Sequence, residues 1–453
     1  MSDPTTPPIP KSLLRLCTSL HAYRPGIIDS VSKLGYTKCF ESAGSHHPTT
    51  SALLRDLSQA RLDLAAGLTT GSNPADTLSH ASRYLPLIRT LLLSCEVQPD
   101  TAVLDAPLEF KWRGGLEGDD VGGTMGKVRC SQALMYELSM TIGVISLSHA
   151  SIGCGHSLQG DFVAAVSSFK NAANVMEHLR GVHLPQWVAL GASTSPGDLP
   201  CECEVKCAEG FGEIFKSHAQ QMAVAKALQG DSVNYSLVGK LCVGIKEGIE
   251  KFVKVVRGEA GVHWCRMPVA YLKYIAFQTS LQDALGMYFQ ARDTWGKGEY
   301  GVALAMLREA RSALEVRESI TSKGIPEDIN VKGNPLAVLR PDLDDLRRHV
   351  DGMEEAWTND CEKVYFDKVP DSVPVGKRIK KGMQMVKFGE WEGANKEGIE
   401  PVPLSVKGKG EEEEKWESMP PTAPRQSEEK GMERSDSDLA RELQAKLNAG
   451  EDI

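Results

Sequence analysis

The chain has 453 residues, more than one compact core usually holds, so several domains or an extended stack of elements is expected. Its 60 acidic against 51 basic residues leave a formal charge of -9, which argues against nucleic acid as the main partner, because phosphate binding needs a clustered basic excess. Eleven cysteines, an odd number spread from Cys17 to Cys361, read as reduced, buried thiols rather than a disulfide framework, and point to the cytosol.

In chain order, residues 1–50 carry scattered Pro, Gly and Ser with little period. The opening residues lack a basic region followed by an apolar run, and no window approaches about eighteen uninterrupted apolar residues. A soluble protein with at most peripheral membrane contact is expected. Helical spacing predicts a helix over 51–66, bearing Leu53, Leu54, Leu57 and Leu62, and another over 81–95. Between it and the next helix, the short alternating stretch 103–112, bounded by Pro and Gly-Gly, predicts a small strand or hairpin. Over 131–149, Leu134, Leu138, Ile142 and Ile145 mark one face while Met135, Met140, Val144 and Leu147 fill the others. A helix apolar all round is a buried one, so this is expected to be the central post of the fold. A helix over 160–179 follows, then a loop rich in Pro, Gly and Ser over 181–200. Further helices are predicted over 209–228, 233–256, 267–295, 300–319 and 342–364.

One pattern occurs twice. Gly160, Phe162, Ala165, Phe169 and Ala172 have the same spacing as Gly298, Tyr300, Ala303, Leu307 and Ala310. A small residue every seven positions, with a large one between, lets a second helix approach closely and knob into the first. This is the second helix of a tetratricopeptide-like hairpin, and two copies favour a helical-repeat scaffold. The expected fold class is mainly α, with one unit over 1–390. Composition then changes: Glu411 to Glu414 and the Pro420-Pro421 pair cannot bury a core, so 391–434 reads as a solvated acidic linker. A short amphipathic helix is expected over 435–449, with Asp436 and Asp438 at its start, where the helix dipole favours them.

There is no phosphate-cradling glycine loop, no His-Glu-x-x-His and no Gly-x-Ser-x-Gly elbow. Gly230-Asp231-Ser232 imitates a hydrolase nucleophile block, but no strand leads into it, and a capped turn between helices explains it. Cys201-x-Cys203-x-x-x-Cys207 is the best metal candidate, since three thiolates in seven residues could hold zinc. Its spacing lacks the Cys-x-x-Cys knuckle and no fourth ligand is evident, so a loop of reduced cysteines is the reading, with no metal or other cofactor. His149 and His218 read as core or capping residues. No catalytic set emerges.

Several strings, in order, resemble the BRO1 domain family, and within it the short, single-domain Brox-like proteins. They are Phe110-Lys111-Trp112; Tyr136-Glu137-Leu138-Ser139-Met140; Ser168-Phe169 through Ala172-Ala173 to Glu177-His178-Leu179 and His183-Leu184-Pro185; His218-Ala219-Gln220-Gln221; and Val364-Tyr365-Phe366-Asp367-Lys368-Val369-Pro370. They cover about residues 80 to 375. The resemblance implies an elongated, curved helical domain that docks an amphipathic helix from the tail of an ESCRT-III subunit. Such an adaptor is cytoplasmic and is recruited to endosomes or other membranes. It places the docking patch on the two helices after the Gln-rich string, with apolar contacts at Ala223, Leu237 and Leu241 and basic positions at Lys226 and Lys240. Leu237 and Leu241, one turn apart, share a helix face, which serves a docking stripe or a core equally well. A large apolar residue is usual in some members where Ala223 stands, which implies weaker or displaced contact. Brox-like proteins can end in a prenylated cysteine, whereas the last cysteine here is Cys361, so recruitment is expected to depend on protein partners. Near the end, Leu439, Ala440 and Leu443 after aspartates resemble an inverted ubiquitin-interacting motif. Two other functions compete. A tetratricopeptide-type scaffold or chaperone adaptor would need basic inner faces on several repeats, and an enzyme would need a nucleophile, acid-base pair or metal set.

Overall fold

A row of helices, each packed on its predecessor, carries the chain. The computed structural model describes residues 7–29, 35–69, 72–118, 126–189, 198–230, 232–315, 335–394 and 399–405. The row begins with α4 (Pro48–Gly67) and α5 (Pro74–Val97), which is started by Pro74 and by Asn73, whose side chain accepts from the Ala75 N–H. It continues through α6 (Leu134–Gln159), α7 (Phe162–His178), α9 (Val205–Leu228), α10 (Tyr235–Glu259), α12 (Val269–Gly296), α13 (Tyr300–Leu314) and α14 (Arg340–Asp360). Short helices α8 (Leu184–Ala189) and α11 (Gly261–Trp264) sit in connections. Most predicted helices stand within a few residues of their expected bounds.

The repeated pattern is the pair of hairpins α6–α7 and α12–α13. Gly160 and Gly298 hold φ of 79° and 81°, the left-handed region that glycine enters without a Cβ penalty, and each turns the chain from one helix into the next. After the first turn Asp161 caps α7, accepting from the Ala164 N–H. Ala165, Phe169 and Ala172 are fully buried in one copy, as are Ala303, Leu307 and Ala310 in the other. The close approach is visible at Gly153 of α6, where a Cβ would stand 2.9 Å from the Phe169 ring.

Helix α6 is buried on every side from Met135 to Ser148. It is long and apolar enough to cross a membrane by length and composition, but 72% of its most apolar window is buried inside the fold, so it is the core post. Its one charged residue, Glu137, is fully buried and met from three elements. Arg61 of α4 donates Nε–H to Oε1 at 2.7 Å, Tyr84 of α5 donates to the same oxygen at 3.0 Å, and the Trp112 indole donates to Oε2 at 2.5 Å. Trp112 belongs to a three-stranded antiparallel sheet of β1 (Ile27–Ile28), β2 (Phe110–Arg113) and β3 (Val128–Ser131), in which Trp112 faces Ile28 and Arg129.

Three features go beyond the local patterns. Within the described parts of residues 1–50, α1 (Lys11–Thr18), α2 (Tyr36–Cys39), α3 (Glu41–His46) and β1 are too short to show a period, and α1 packs on α9 and α14, with Arg15 bonded to Asp342 at 2.6 Å. Ser131, expected to start a helix, ends β3. The first compact unit runs to Val406. After α14 the chain returns as an extended strap that crosses the row in reverse. Asp367 accepts from Gly301 on α13, Lys377 O from Gln290 on α12, Met383 binds α10 and α9, Gly389 donates to Asn174 on α7, and Gly393 O accepts from Arg89 on α5. Residues 402–405 end on α5 and α4, where Gln98 holds Val402 O and Leu404 N–H and Thr50 donates to Pro403 O. Buried Leu404 and these bonds explain why an apparently coil-like composition still packs. The rest of the expected linker and the helix over 435–449 lie outside the described residues.

Removing one partner of a buried, hydrogen-bonded ion pair leaves an unpaired charge, at a cost of about 3–5 kcal/mol. Glu137→Ala is therefore expected to lose about that much in urea unfolding, and Leu138→Ile, which keeps the network, far less. Equal losses would show that the network contributes nothing particular.

Candidate functional site

The expected docking patch lies on α9 and α10. Helix α9 opens with Glu204, whose side chain accepts from the Cys207 N–H at 2.7 Å, and α10 opens with Asn234, which accepts from Leu237 N–H at 3.0 Å. Asn234 is thus the cap after the Gly230 turn. In the Gln-rich string of α9, His218 and Gln221 point inward and are hydrogen-bonded. Tyr23 OH stands 2.7 Å from His218 Nε2, His218 Nδ1 stands 2.7 Å from Gln221 Oε1, Gln221 donates to Gln278 at 2.9 Å, and Gln278 donates to Ser19 O at 3.0 Å. With Gln221 Oε1 an acceptor, His218 carries its proton on Nδ1 and accepts the tyrosine hydroxyl on Nε2. Burial holds this imidazole down at about 4, so it is neutral near pH 7.

Gln220, on the outer side, organises a groove between α9 and α10. Its amide donates to Leu241 O at 2.9 Å and to Met383 O at 2.6 Å, and its oxygen accepts from Met385 N–H at 3.1 Å. Met383 N–H bonds Lys240 O at 3.0 Å, and Gly382 N–H bonds Glu247. The strap lies this close because both crossing residues are glycine: a Cβ on Gly382 would stand 2.1 Å from the Gly244 nitrogen. The chain's own strap, through Lys381 to Gln384, therefore forms one wall of this groove, whose other walls include Glu213, Lys216, Gly248 and Lys251.

The five expected patch residues divide. Lys226 and Lys240 are exposed, and Leu237 is half-buried with one side on the core. Ala223 keeps 8% exposure. Leu241 is 0% exposed and belongs to the core, which corrects its assignment as a contact: a side chain with no accessible surface has none to offer a partner. Leu439, Ala440 and Leu443 lie outside the described residues.

The chemistry-bearing side chains are mostly closed off. Burial pushes the thiols of Cys17 and Cys154 up to about 12, and those of Cys203 and Cys242 well above their ordinary value, so these are not thiolate nucleophiles. Glu202 is raised to about 7 by burial and by the nearby Glu117. It is 1% exposed and its Oε1 accepts from Gly115 and Leu116 N–H, so it holds the loop after β2. The cysteines of the Cys201–Cys207 stretch separate. Cys203 Sγ stands 3.5 Å from Met140 Sδ, while Cys201 and Cys207 meet His263, a ligand-type residue that spacing alone did not connect with them.

The family model described as "BRO1-like domain" matches residues 37–411. No curated protein sequence matches the chain. Among solved structures, one described as the structural basis for endosomal targeting by the Bro1 domain superposes with TM-score 0.60 at 14% identity, over 83% of this chain and 93% of that one. The BRO1 domain of ALIX in complex with CHMP4C gives 0.59 at 15% identity, over 82% and 99%. ALIX in complex with the SIVmac239 PYKEVTEDL late domain gives 0.62 at 14%, over 85% and 50%. At these identities the likeness is one of fold: a mainly helical domain with a small sheet.

A buried imidazole held near 4 makes stability depend on pH. The unfolded chain protonates His218 below about 6.5 while the native state resists, so stability present above that value is lost as pH falls towards 4. At about 1.4 kcal/mol per unit, roughly 2 kcal/mol is lost by pH 5. Urea unfolding at pH 7 and at pH 5 is expected to show a smaller difference for His218→Gln than for the wild type, by about that amount. The same difference in both would exclude His218 as a source.

Proposed function

The chain belongs to the BRO1-like domain family, and from that premise we propose that it is a non-enzymatic adaptor that binds the amphipathic tail helix of an ESCRT-III subunit. What carries the reading is the family match joined to a fold shared, over 82% of the chain, with a BRO1 domain solved in complex with CHMP4C. The protein works in endosomal sorting or membrane remodelling, as a cytoplasmic protein brought to the membrane by its partners. The ordered strings from Phe110 to Pro370 support the finer placement among short, single-domain Brox-like members.

The proposed contacts are the half-buried Leu237 and the residual surface of Ala223, flanked by exposed Lys226 and Lys240. A helix-in-groove partner contributes apolar anchors one turn apart and acidic residues beside them, which the two lysines fit. With Ala223 small and Leu241 withdrawn into the core, the apolar contact is narrow, and affinity depends on the lysines more than in a wholly apolar groove.

Titration calorimetry of the full chain with an ESCRT-III tail peptide tests this. An apolar anchor is commonly worth about 2 kcal/mol, roughly thirtyfold in affinity, and Leu237→Asp is expected to lose that much with an unchanged circular dichroism spectrum. Lys226→Glu with Lys240→Glu is expected to weaken binding and flatten its dependence on salt. Leu241→Asp is expected to unfold the domain, since it buries a lone charge. Unchanged affinity in Leu237→Asp would reject the patch.

A separate contact to ubiquitin is proposed for the terminal segment, where a small Ala440 between Leu439 and Leu443 suits a helix lying flat on an apolar surface. A lone helix of about fifteen residues is marginal in water and gains stability by docking. Nuclear magnetic resonance titration of labelled ubiquitin with residues 430–453 is expected to give shifts that Ala440→Asp abolishes. Shifts that survive the substitution, or none at millimolar peptide, would reject it.

A further inference from the structure

The interior beside the sheet gathers four metal-binding atoms from parts of the chain far apart in sequence. Cys201 lies in a short 3-10 turn (Cys201–Cys203), Cys207 in the first turn of α9, His263 on α11 and Glu117 in the loop after β2. All four are buried. Cys201 Sγ stands 3.5 Å from His263 Nδ1 and 3.6 Å from Glu117 Oε1, and His263 Nδ1 stands 4.0 Å from Glu117 Oε1. The ligand atoms of Cys201, Cys207 and His263 all lie within 4.8 Å of one another. A tetrahedral zinc ion, with Zn–S of about 2.3 Å and Zn–N or Zn–O of about 2.0–2.2 Å, sets its ligand atoms roughly 3.3–3.8 Å apart. Cys201 Sγ already stands at this spacing from His263 and from Glu117, and the remaining pairs among the two cysteines and His263, which lie within 4.8 Å, would close by up to about an ångström.

We propose that Cys201, Cys207, His263 and Glu117 form a closed, four-coordinate structural zinc site. The site is independent of the docking surface. Binding replaces the two thiol protons: each Sγ gives up its proton to solvent and donates a lone pair to Zn²⁺, and His263 donates the Nδ1 lone pair. Two thiolates, one carboxylate and a neutral imidazole around Zn²⁺ leave one net negative charge. Arg129, 3.1 Å from Glu117 Oε2, and Arg266, 3.8 Å from Oε1, more than offset that charge. Cations paired with a ligating carboxylate in this way hold its orientation. Glu117 and its loop are also pinned by backbone groups, since Cys201 N–H bonds Oε1 at 3.2 Å and Gly118 N–H bonds Arg266 O at 3.2 Å. The ion would tie the sheet loop, the start of α9 and the α10–α12 connection into one junction, and it has no open position for substrate, which makes the site structural rather than catalytic.

The test uses the full chain, produced with zinc in the medium and purified without chelator, with metal read by inductively coupled plasma mass spectrometry. About one zinc per chain is expected, as in a four-ligand structural site. Cys201→Ser and Cys207→Ser are expected to lose it, and Cys203→Ser, whose sulfur faces Met140, to keep it. A metal-free wild type, or loss in Cys203→Ser equal to that in the other two, would overturn the site. Should the first two variants fail to fold, cobalt substitution of the wild type reads the donors directly: a thiolate-to-cobalt charge-transfer band with intense tetrahedral visible bands supports the site, and their absence overturns it. Glu117→Gln is expected to weaken zinc at least about tenfold in chelator competition. Unchanged affinity would remove Glu117 from the ligand set.

Discussion

A carboxylate placed on a helix that is apolar all round is costly unless every lone pair finds a partner, and Glu137 finds Arg61, Tyr84 and Trp112. Tyr36 extends the same network through its 2.5 Å contact with Tyr84. Those four side chains come from α4, α5, β2 and α2, so the position of each relative to α6 is set by one buried anion. Apolar packing alone would tolerate small slides and rotations between these elements. A charge-assisted network does not, because each slide would strand a donor in the interior. The rest of the row is then built outward from α6, each helix placed by the one before it. At the other end aromatic stacking does a comparable job: Trp295 of α12 lies on Trp357 of α14 with ring centroids 4.1 Å apart.

The helices were legible because their signals are local. The period of apolar residues and the glycines that turn Gly160 and Gly298 into left-handed links can be read within thirty or so residues. Elements whose stability comes from elsewhere were not. Helix α1 has only eight residues and owes its place to α9 and α14, β1 is two residues long, and the strap has no period because its bonds go to other elements. Two separate strings of the resemblance, Phe110-Lys111-Trp112 and Tyr136-Glu137-Leu138-Ser139-Met140, prove to meet in one hydrogen bond, from Trp112 to Glu137, which no one-dimensional reading could connect.

The candidate surface shows the same limit. A one-turn spacing states that Leu237 and Leu241 share a face, but not which face the neighbours cover, and Leu241 is sealed while Leu237 is half open. The cysteine stretch was read as a linear motif and lacked a fourth ligand. Its companions, His263 and Glu117, stand 62 and 84 residues from Cys201. Only folding brings them near, and it also turns Cys203, the middle thiol, away.

The strap has a consequence for how the protein is made. Bonds such as Gln98 to Val402 and Thr50 to Pro403 join residues 304 and 353 positions apart. During synthesis the helical row can assemble in order from the N-terminal end, since each contact is between near neighbours. The outer seams of α4, α5, α7, α9 and α10 nevertheless stay uncovered until the ribosome has added the last stretch of the unit. Closure of the strap can therefore follow only after the row is made, and a nascent chain released before the strap is synthesised would carry those seams bare and open to capture by chaperones.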